Sequence, residues 1–347
     1  MLTQKDVANL AGVSFITVSR VINGEQNVKE ETRKKVQAAI DTLGYAPSFA
    51  GKVLNSGRCN TIAVLTPIPF GQMMRATYLF NVLDGIQEAC RKNEIDMLLN
   101  VVPVAGTSKN YDYLRPFKQK KVDGIIYIGL KQIPKEMIDE LAKRKLPCVV
   151  IGDRPESSLV SWVDTANYEA GYNTVKKIWE AGHKKIAFES LKREIYNANV
   201  TDRENGYIQA LHDLGADYTP EDYIIRTDFD STEVCADVKA AFSSWKEKPT
   251  AVFCCADSLV PKTVKALNEL GFSVPEDVSI VGFDGFINSS YFGMNVATNV
   301  QPLAKMGKKA AEILFSQIDE SDSTKETVVF PVSFEDGYSL KKLKLFT

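Results

Sequence analysis

Two histidines in a chain of 347 residues leave little for proton shuttling or metal binding. His183 falls at a helix end just before a strand, and His212 lies in a helix with no ligand-spaced neighbour. Cysteine is also scarce. Cys59, Cys90, Cys148, Cys235, Cys254 and Cys255 contain no C-x-x-C pair, and most sit inside apolar runs. Buried reduced thiols are expected there, in place of a metal site or disulfides. No G-x-G-x-x-G follows a strand, and no P-loop, H-E-x-x-H or G-x-S-x-G is present. These absences disfavour an α/β sugar enzyme, and no catalytic residue, cofactor or metal is assigned. No stretch approaches the roughly 20 apolar residues of a membrane span, and no apolar signal region opens the chain. A cytoplasmic protein without a membrane partner is expected.

The composition that remains is an ordinary soluble one, 44% apolar and 25% charged, on a chain long enough for two or three cores. The net charge of −2 is unevenly spread. Residues 1–60 hold eight Lys and Arg against five Asp and Glu, while the remainder holds 34 against 39. A mildly basic head on an acidic body suits a head that meets phosphate.

The head explains the charge. Thr3 is a good N-cap, with Asp6 three residues on, and Val7, Leu10 and Ala11 follow at helical spacing. Gly12 can end that helix in a left-handed turn. Ser14 then caps a second helix, whose Val18, Val21 and Ile22 form one apolar stripe. Two short helices, a tight turn and a shared seam describe a helix-turn-helix, although the same pattern also serves ordinary helical cores. A third helix is expected from Glu30 to Leu43, with Gly44 as its stop.

From Thr61 onward, short apolar runs alternate with amphipathic helices. Strands are expected at Ile62–Thr66, Met97–Val102, Gly124–Ile128 and Cys148–Ile151, then at Lys185–Glu189, Tyr223–Arg226, Ala251–Cys255, Ser279–Phe283 and near Val328–Phe334. The intervening helices include Lys109–Lys121, Tyr168–Ala181 and Pro302–Ile318. Buried strands alternating with helices imply parallel sheets covered on both faces, with small molecules bound beyond the carboxyl ends of the strands.

The head resembles the LacI/GalR family of bacterial transcription regulators through Asp6-Val7-Ala8, Ala11-Gly12-Val13-Ser14 and Thr17-Val18-Ser19-Arg20-Val21-Ile22-Asn23. The resemblance continues in Gly182-His183, Ile186, Arg203, Gly206-Tyr207, Val274-Pro275 and Val281-Gly282-Phe283-Asp284. It implies an all-α helix-turn-helix head and a two-lobed α/β core of the periplasmic-binding-protein type, with two doubly wound parallel sheets. The expected parts are residues 1–46 for the head, 47–60 for the hinge, 61–163 with 297–325 for the first subdomain, and 164–296 with 326–347 for the second. It also implies a hinge helix that forms on DNA, with Lys52 and Leu54 in the basic and minor-groove positions. Gly51 stands where alanine is usual, so the hinge should be floppy in the absence of DNA.

Each head residue is then given a task. Arg20 is expected to bond guanine in bidentate fashion, and apolar Phe15 and Ile16 to meet thymine methyls. Ser14, Thr17, Ser19, Asn23 and Thr32 are expected on phosphates, with Thr3 in the same DNA-facing set. Gln26 and Asn27 add a base-edge contact from the loop.

In the cleft, Arg203 and Asp284 match the family's effector-holding positions, and Asp257 is a third candidate. An arginine fork and a carboxylate suit a neutral polyol. Tyr78 and Phe229 are the candidates to cover its C–H face, with core packing the alternative for both. The loop 66–76, through Gln72 or Arg75, departs from the family pattern and could admit an unusual effector.

The expected protein is thus a repressor that binds a pseudo-palindromic duplex operator as a homodimer and is controlled by a small-molecule effector, preferentially a sugar. A nucleoside- or purine-responsive regulator is the alternative effector class, and a sugar-binding module without a DNA role is the alternative function. Residues 340–347 are too few for a tetramerising coiled coil.

Overall fold

The computed structural model describes residues 2–46, 53, 57–68, 77–103, 111–129, 135–155, 160–192, 198–227, 234–286, 295–319 and 325–343. Two compact units emerge, residues 1–60 with 120–122, and residues 61–119 with 123–347.

The first unit carries α1 (Gln4–Ala11), α2 (Phe15–Ile22) and α3 (Glu30–Leu43). Asp6 Oδ2 accepts from both the Thr3 amide and the Thr3 hydroxyl at 2.8 Å, which places a carboxylate at the positive end of α1. Gly12 takes φ +66°, a left-handed conformation that glycine adopts without steric cost, and turns the chain into α2. Ser14 Oγ accepts from the Thr17 amide at 3.2 Å and starts α2. Val7, Ala8, Val18, Val21, Val36 and Ala39 interlock as one small core. Helices this short are marginal alone, so that shared core holds them.

The second unit has two lobes, each built on a six-stranded sheet. The first sheet contains β1 (Thr61–Thr66), β2 (Asp96–Val101), β3 (Gly124–Ile128), β4 (Cys148–Ile151) and β5 (Ser161–Thr165), and every pairing in it is parallel. Its helices are α4 (Thr77–Lys92), α5 (Arg115–Lys118) and α6 (Lys135–Lys143). The chain then crosses into α7 (Asn167–Glu180), β6 (Ile186–Leu191), α8 (Ala198–Asp213), β7 (Ile224–Thr227), α9 (Val234–Ser244), β8 (Ala251–Cys254), α10 (Val260–Glu269), β9 (Ser279–Asp284) and β10 (Ala297–Val300). Helix α11 (Leu303–Asp319) and strand β11 (Thr327–Phe330) return to the first lobe, and β12 (Ser333–Glu335) closes the second sheet antiparallel to β10. The strand order is β11-β5-β4-β3-β1-β2 in one sheet and β12-β10-β9-β8-β6-β7 in the other. Strands β3, β4 and β8 are buried along their whole length, as continuous apolar runs demand.

The sheets correct the expected subdomain boundaries. Residues 297–300 pair with β9, so this strand belongs to the second lobe and the return falls at residue 301. The run Val328–Phe334 is two strands in two sheets, parted at Pro331, which cannot donate to a ladder. Strand β11 pairs with β5 in the first lobe, so residues 327–330 leave the second subdomain. The helix expected at Lys109–Lys121 is the short α5 among the described residues; 104–110 lie outside them.

His183 fastens the C-terminal segment. Its Nε2 donates to the Lys341 carbonyl at 2.9 Å and its Nδ1 lies 3.0 Å from Thr250 Oγ1. Burial lowers its pKa, in keeping with a neutral ring between these partners. Among the described residues, no helix is long and apolar enough to cross a membrane, and no His, Cys, Asp and Glu cluster could hold a metal ion.

Candidate functional site

In the head, the N-terminal part of α2 meets the loop before α3. A shallow groove there is lined by Val13, Ser14, Thr17, Arg20, Asn27, Val28, Lys29 and Thr32. Five of the expected DNA ligands thus share one surface. Phe15 and Ile16 stand outside that lining, 50% and 60% exposed, because Val18 and Val21 take the buried side of α2. The Ser14 and Thr17 hydroxyls lie 2.9 Å apart, which leaves each further lone pairs. Arg20 Nε is 3.7 Å from Glu25, a half-exposed pair that a phosphate or base edge could replace at little cost. Ser19 lies 3.5 Å from Asn23 Nδ2, and Gln26 is exposed on the following loop. Thr3 Oγ1 donates to Asp6, so its first duty is to cap α1. Lys52 and Leu54 lie outside the described residues.

In the core, Arg203 sits in the first turns of α8, only 4% exposed. Close helix packing carries it inward. A Cβ on Gly171 of α7 would come 2.5 Å from the Arg203 carbonyl oxygen, so only glycine admits that approach. Arg203 Nε donates to Asn167 Oδ1 at 2.8 Å and Nη1 to the Cys255 carbonyl at 2.6 Å. Its guanidinium lies 3.6 Å from the centroid of the Phe283 ring, a cation–π contact. Asp284 ends β9, with Oδ1 3.8 Å from Arg203 Nη1 and accepting from Gln301 Nε2 at 2.7 Å. Gln301 Oε1 in turn accepts from Thr165 Oγ1 at 2.8 Å, so the chain of bonds runs from β5 to β9.

Burial pushes the Asp284 carboxyl up to about 7, against the pull of Arg203 and with help from the Asp257 charge. Asp284 also takes φ +124°, a strained conformation for a side-chain-bearing residue. Asp257 explains how that turn is held. Its Oδ2 accepts from the amides of Gly285 at 2.9 Å and Phe286 at 3.0 Å, and its Oδ1 accepts from Thr298 Oγ1 at 2.7 Å. Asp257, 1% exposed, thus braces the loop that follows Asp284.

Tyr78, at the start of α4, belongs to the same cluster. Burial pushes its hydroxyl pKa well up, and Asp164 and Asp284 add to the effect, so the phenol remains a donor. Its Oη lies 2.7 Å from where a Cβ on Gly152 would stand, with Asn199 Nδ2 3.6 Å from the same point. Asn199 Oδ1 is buried and has no protein partner among the described residues. Phe229 lies outside the described residues. Asn167, Asn199 and Gln301 join this cluster without a sequence signal of their own, whereas Phe283 lies within the family landmark Val281-Gly282-Phe283-Asp284.

Residues 3–48 match the family model described as bacterial regulatory proteins, lacI family, and residues 175–340 match that of the periplasmic binding protein-like domain. The HTH-type transcriptional repressor PurR of Vibrio atlanticus is 36% identical over 334 residues, 94% of each chain. The same-named protein of Photobacterium profundum is 32% identical over 343 residues, 96% of this chain and 97% of that one.

The chain belongs to the LacI family.

As a member it is a sequence-specific DNA-binding transcriptional repressor whose operator affinity is set by a small molecule in the core cleft. The fold matches that of the lac repressor dimer bound to operator and the anti-inducer ONPF, with a TM-score of 0.84 at 20% identity over 98% of this chain and 99% of that one. It also matches the transcriptional regulator CelR in complex with cellobiose, with a TM-score of 0.70 at 25% identity over 98% of this chain and all of the other.

Proposed function

We propose that the repressor senses a small neutral sugar through Arg203 and Asp284, with Tyr78 closing over it. One observation carries the reading. A guanidinium and a carboxyl, both nearly buried, converge at the strand ends, and Asn199, one helical turn before Arg203, has a side-chain oxygen with no donor among the described residues. A polyol supplies such donors and accepts from the arginine fork. The CelR–cellobiose complex and a LacI family regulator from Enterococcus faecium with bound ribose, 25% identical over 82% of this chain and with a TM-score of 0.69, support the sugar class. A purine or nucleoside is the second reading, favoured by the name of the full-length PurR relatives and by the fit of the same fork and carboxyl to ring N–H and carbonyl groups.

On the DNA side, Arg20 reads guanine, Phe15 and Ile16 read thymine methyls, and the groove hydroxyls hold phosphates. Two heads on a homodimer then address two half-sites. The protein acts in the cytoplasm, by binding and without catalysis.

A thermal-shift screen across sugars, nucleosides and nucleobases tests the effector class. A sugar should raise the melting temperature, and Arg203→Ala should remove the shift; a shift that survives the substitution moves the site elsewhere. Selection from a random duplex library tests the head, and absence of any preference at every salt concentration counts against it.

A further inference from the structure

Arg154 follows β4 in the first lobe and contacts an acid in each lobe. Its Nε lies 3.1 Å from Asp164 Oδ2, on β5 of the first lobe, and its Nη2 pairs with Asp202 of α8 in the second. Asp164 is wholly buried, Asp202 is 26% exposed at its side chain and Arg154 33%. Pairs this sheltered are screened less by solvent and salt than surface pairs. Both acids are one step from the cleft. Asp202 precedes Arg203 on the same helix turn. Asp164 Oδ1 accepts from Asn167 Nδ2 at 3.2 Å, and Asn167 Oδ1 accepts from Arg203 Nε at 2.8 Å. Arg154 thus reaches Arg203 by two routes, and only the route through Asp202 spans the lobes directly.

The geometry points to Arg154 as a positioning residue that latches the lobes through Asp202 and so sets how far the cleft closes around Arg203. This rests on the cleft being the effector site, but not on which effector enters it. A latch of this kind gives the core two arrangements, pair made and pair parted, whose balance an occupant of the cleft can shift. Asp164 stays neutralised by Arg154 in either one, so parting the Asp202 arm does not leave a buried charge alone.

Hydrogen exchange on the full chain without added small molecule tests the latch. Asp202→Asn cuts only the arm between lobes. It should speed exchange about tenfold at residues 164–167, 198–206 and 299–301 while β3 and β8 keep their rates. Arg154→Met should do the same or more, and Arg154→Lys, which keeps a charge facing Asp202, should restore most of the protection. The double variant Arg154→Met with Asp202→Asn should exchange no faster in residues 198–206 than Arg154→Met alone, since both remove one contact. Unchanged exchange in Asp202→Asn, uniform acceleration across both lobes, or an Arg154→Lys chain that behaves like Arg154→Met would each overturn the inference. Because no effector is added, an erroneous effector class would leave these results as they are.

Discussion

In the head, the residues expected to read DNA stand on the surface, with Phe15 half exposed and Ile16 60% exposed above a core of six small apolar side chains. In the cleft, Arg203 and Asp284 are 4% and 7% exposed and are bound to the fold by Asn167, Cys255 and Gln301. In the proposed reading, the two sites solve recognition in opposite ways. The head keeps its reading atoms wet and loosely held, so side chains there can change without unsettling α1–α3. The cleft places its polar atoms before the ligand arrives, and each such atom is also part of the lobe's structure. Binding and stability should therefore separate in the head and fuse in the cleft.

The strongest way to break that contrast is at Arg203. Arg203→Met should cost the core about 3–5 kcal/mol in denaturant unfolding, because a buried acid network loses its cation. A loss below about 1 kcal/mol would mean that the cleft, like the head, keeps function and stability apart. Gly171→Ala should come next, at about 1–3 kcal/mol, since the new methyl meets the Arg203 backbone on a helix pair that cannot easily separate.

Protonation sharpens the contrast further. The folded Asp284 carboxyl is raised to about 7, well above the ordinary carboxylate range. Its contribution to stability is thus complete below the unfolded value and is lost as pH rises through the folded one. Core stability should fall from about pH 4 to about pH 7 and level off above it, and Asp284→Asn should flatten that slope. His183 works with the opposite sign. Its lowered pKa gives stability above the unfolded value that is lost as pH falls through the folded one, so His183→Gln should remove an acid-side slope instead.

In the head, Ser14→Ala removes the α2 cap and should cost about 1 kcal/mol by thermal melting of the full chain. The smallest effect belongs to Phe15→Ala and Ile16→Ala, within about 0.5 kcal/mol of stability each, while duplex selection shifts away from thymine at the matching positions. A large stability loss at either residue would place it in the core and not on a reading face.

Much of this was legible along the chain because its causes are local. Helix α3 begins at Glu30 and ends at Leu43 as its periodicity and Gly44 require. The strands with continuous apolar runs were found for the same reason. Strands β5 and β10 were not, since Ser161–Thr165 and Ala297–Val300 are short, mixed in polarity and end at crossings between lobes. The loop 66–76 and Phe229 fall largely or wholly outside the described residues. Of the cleft, Arg203 and Asp284 could be named from motifs, but the task of Asp257 could not. Three of its partners, Gly285, Phe286 and Thr298, lie 28, 29 and 41 residues away.

Spacing, capping and motif alone determined that this chain has a capped helix pair for DNA and a two-lobed α/β body for a small molecule. Those signals act within a few residues, where backbone hydrogen bonds and apolar periodicity operate. Tertiary structure alone decided which lobe owns each crossing strand, that Asp257 braces the loop after Asp284, and that Arg154 touches both lobes. Those outcomes depend on groups brought together across the fold, and the burial that sets their charge exists only once the sheets have packed.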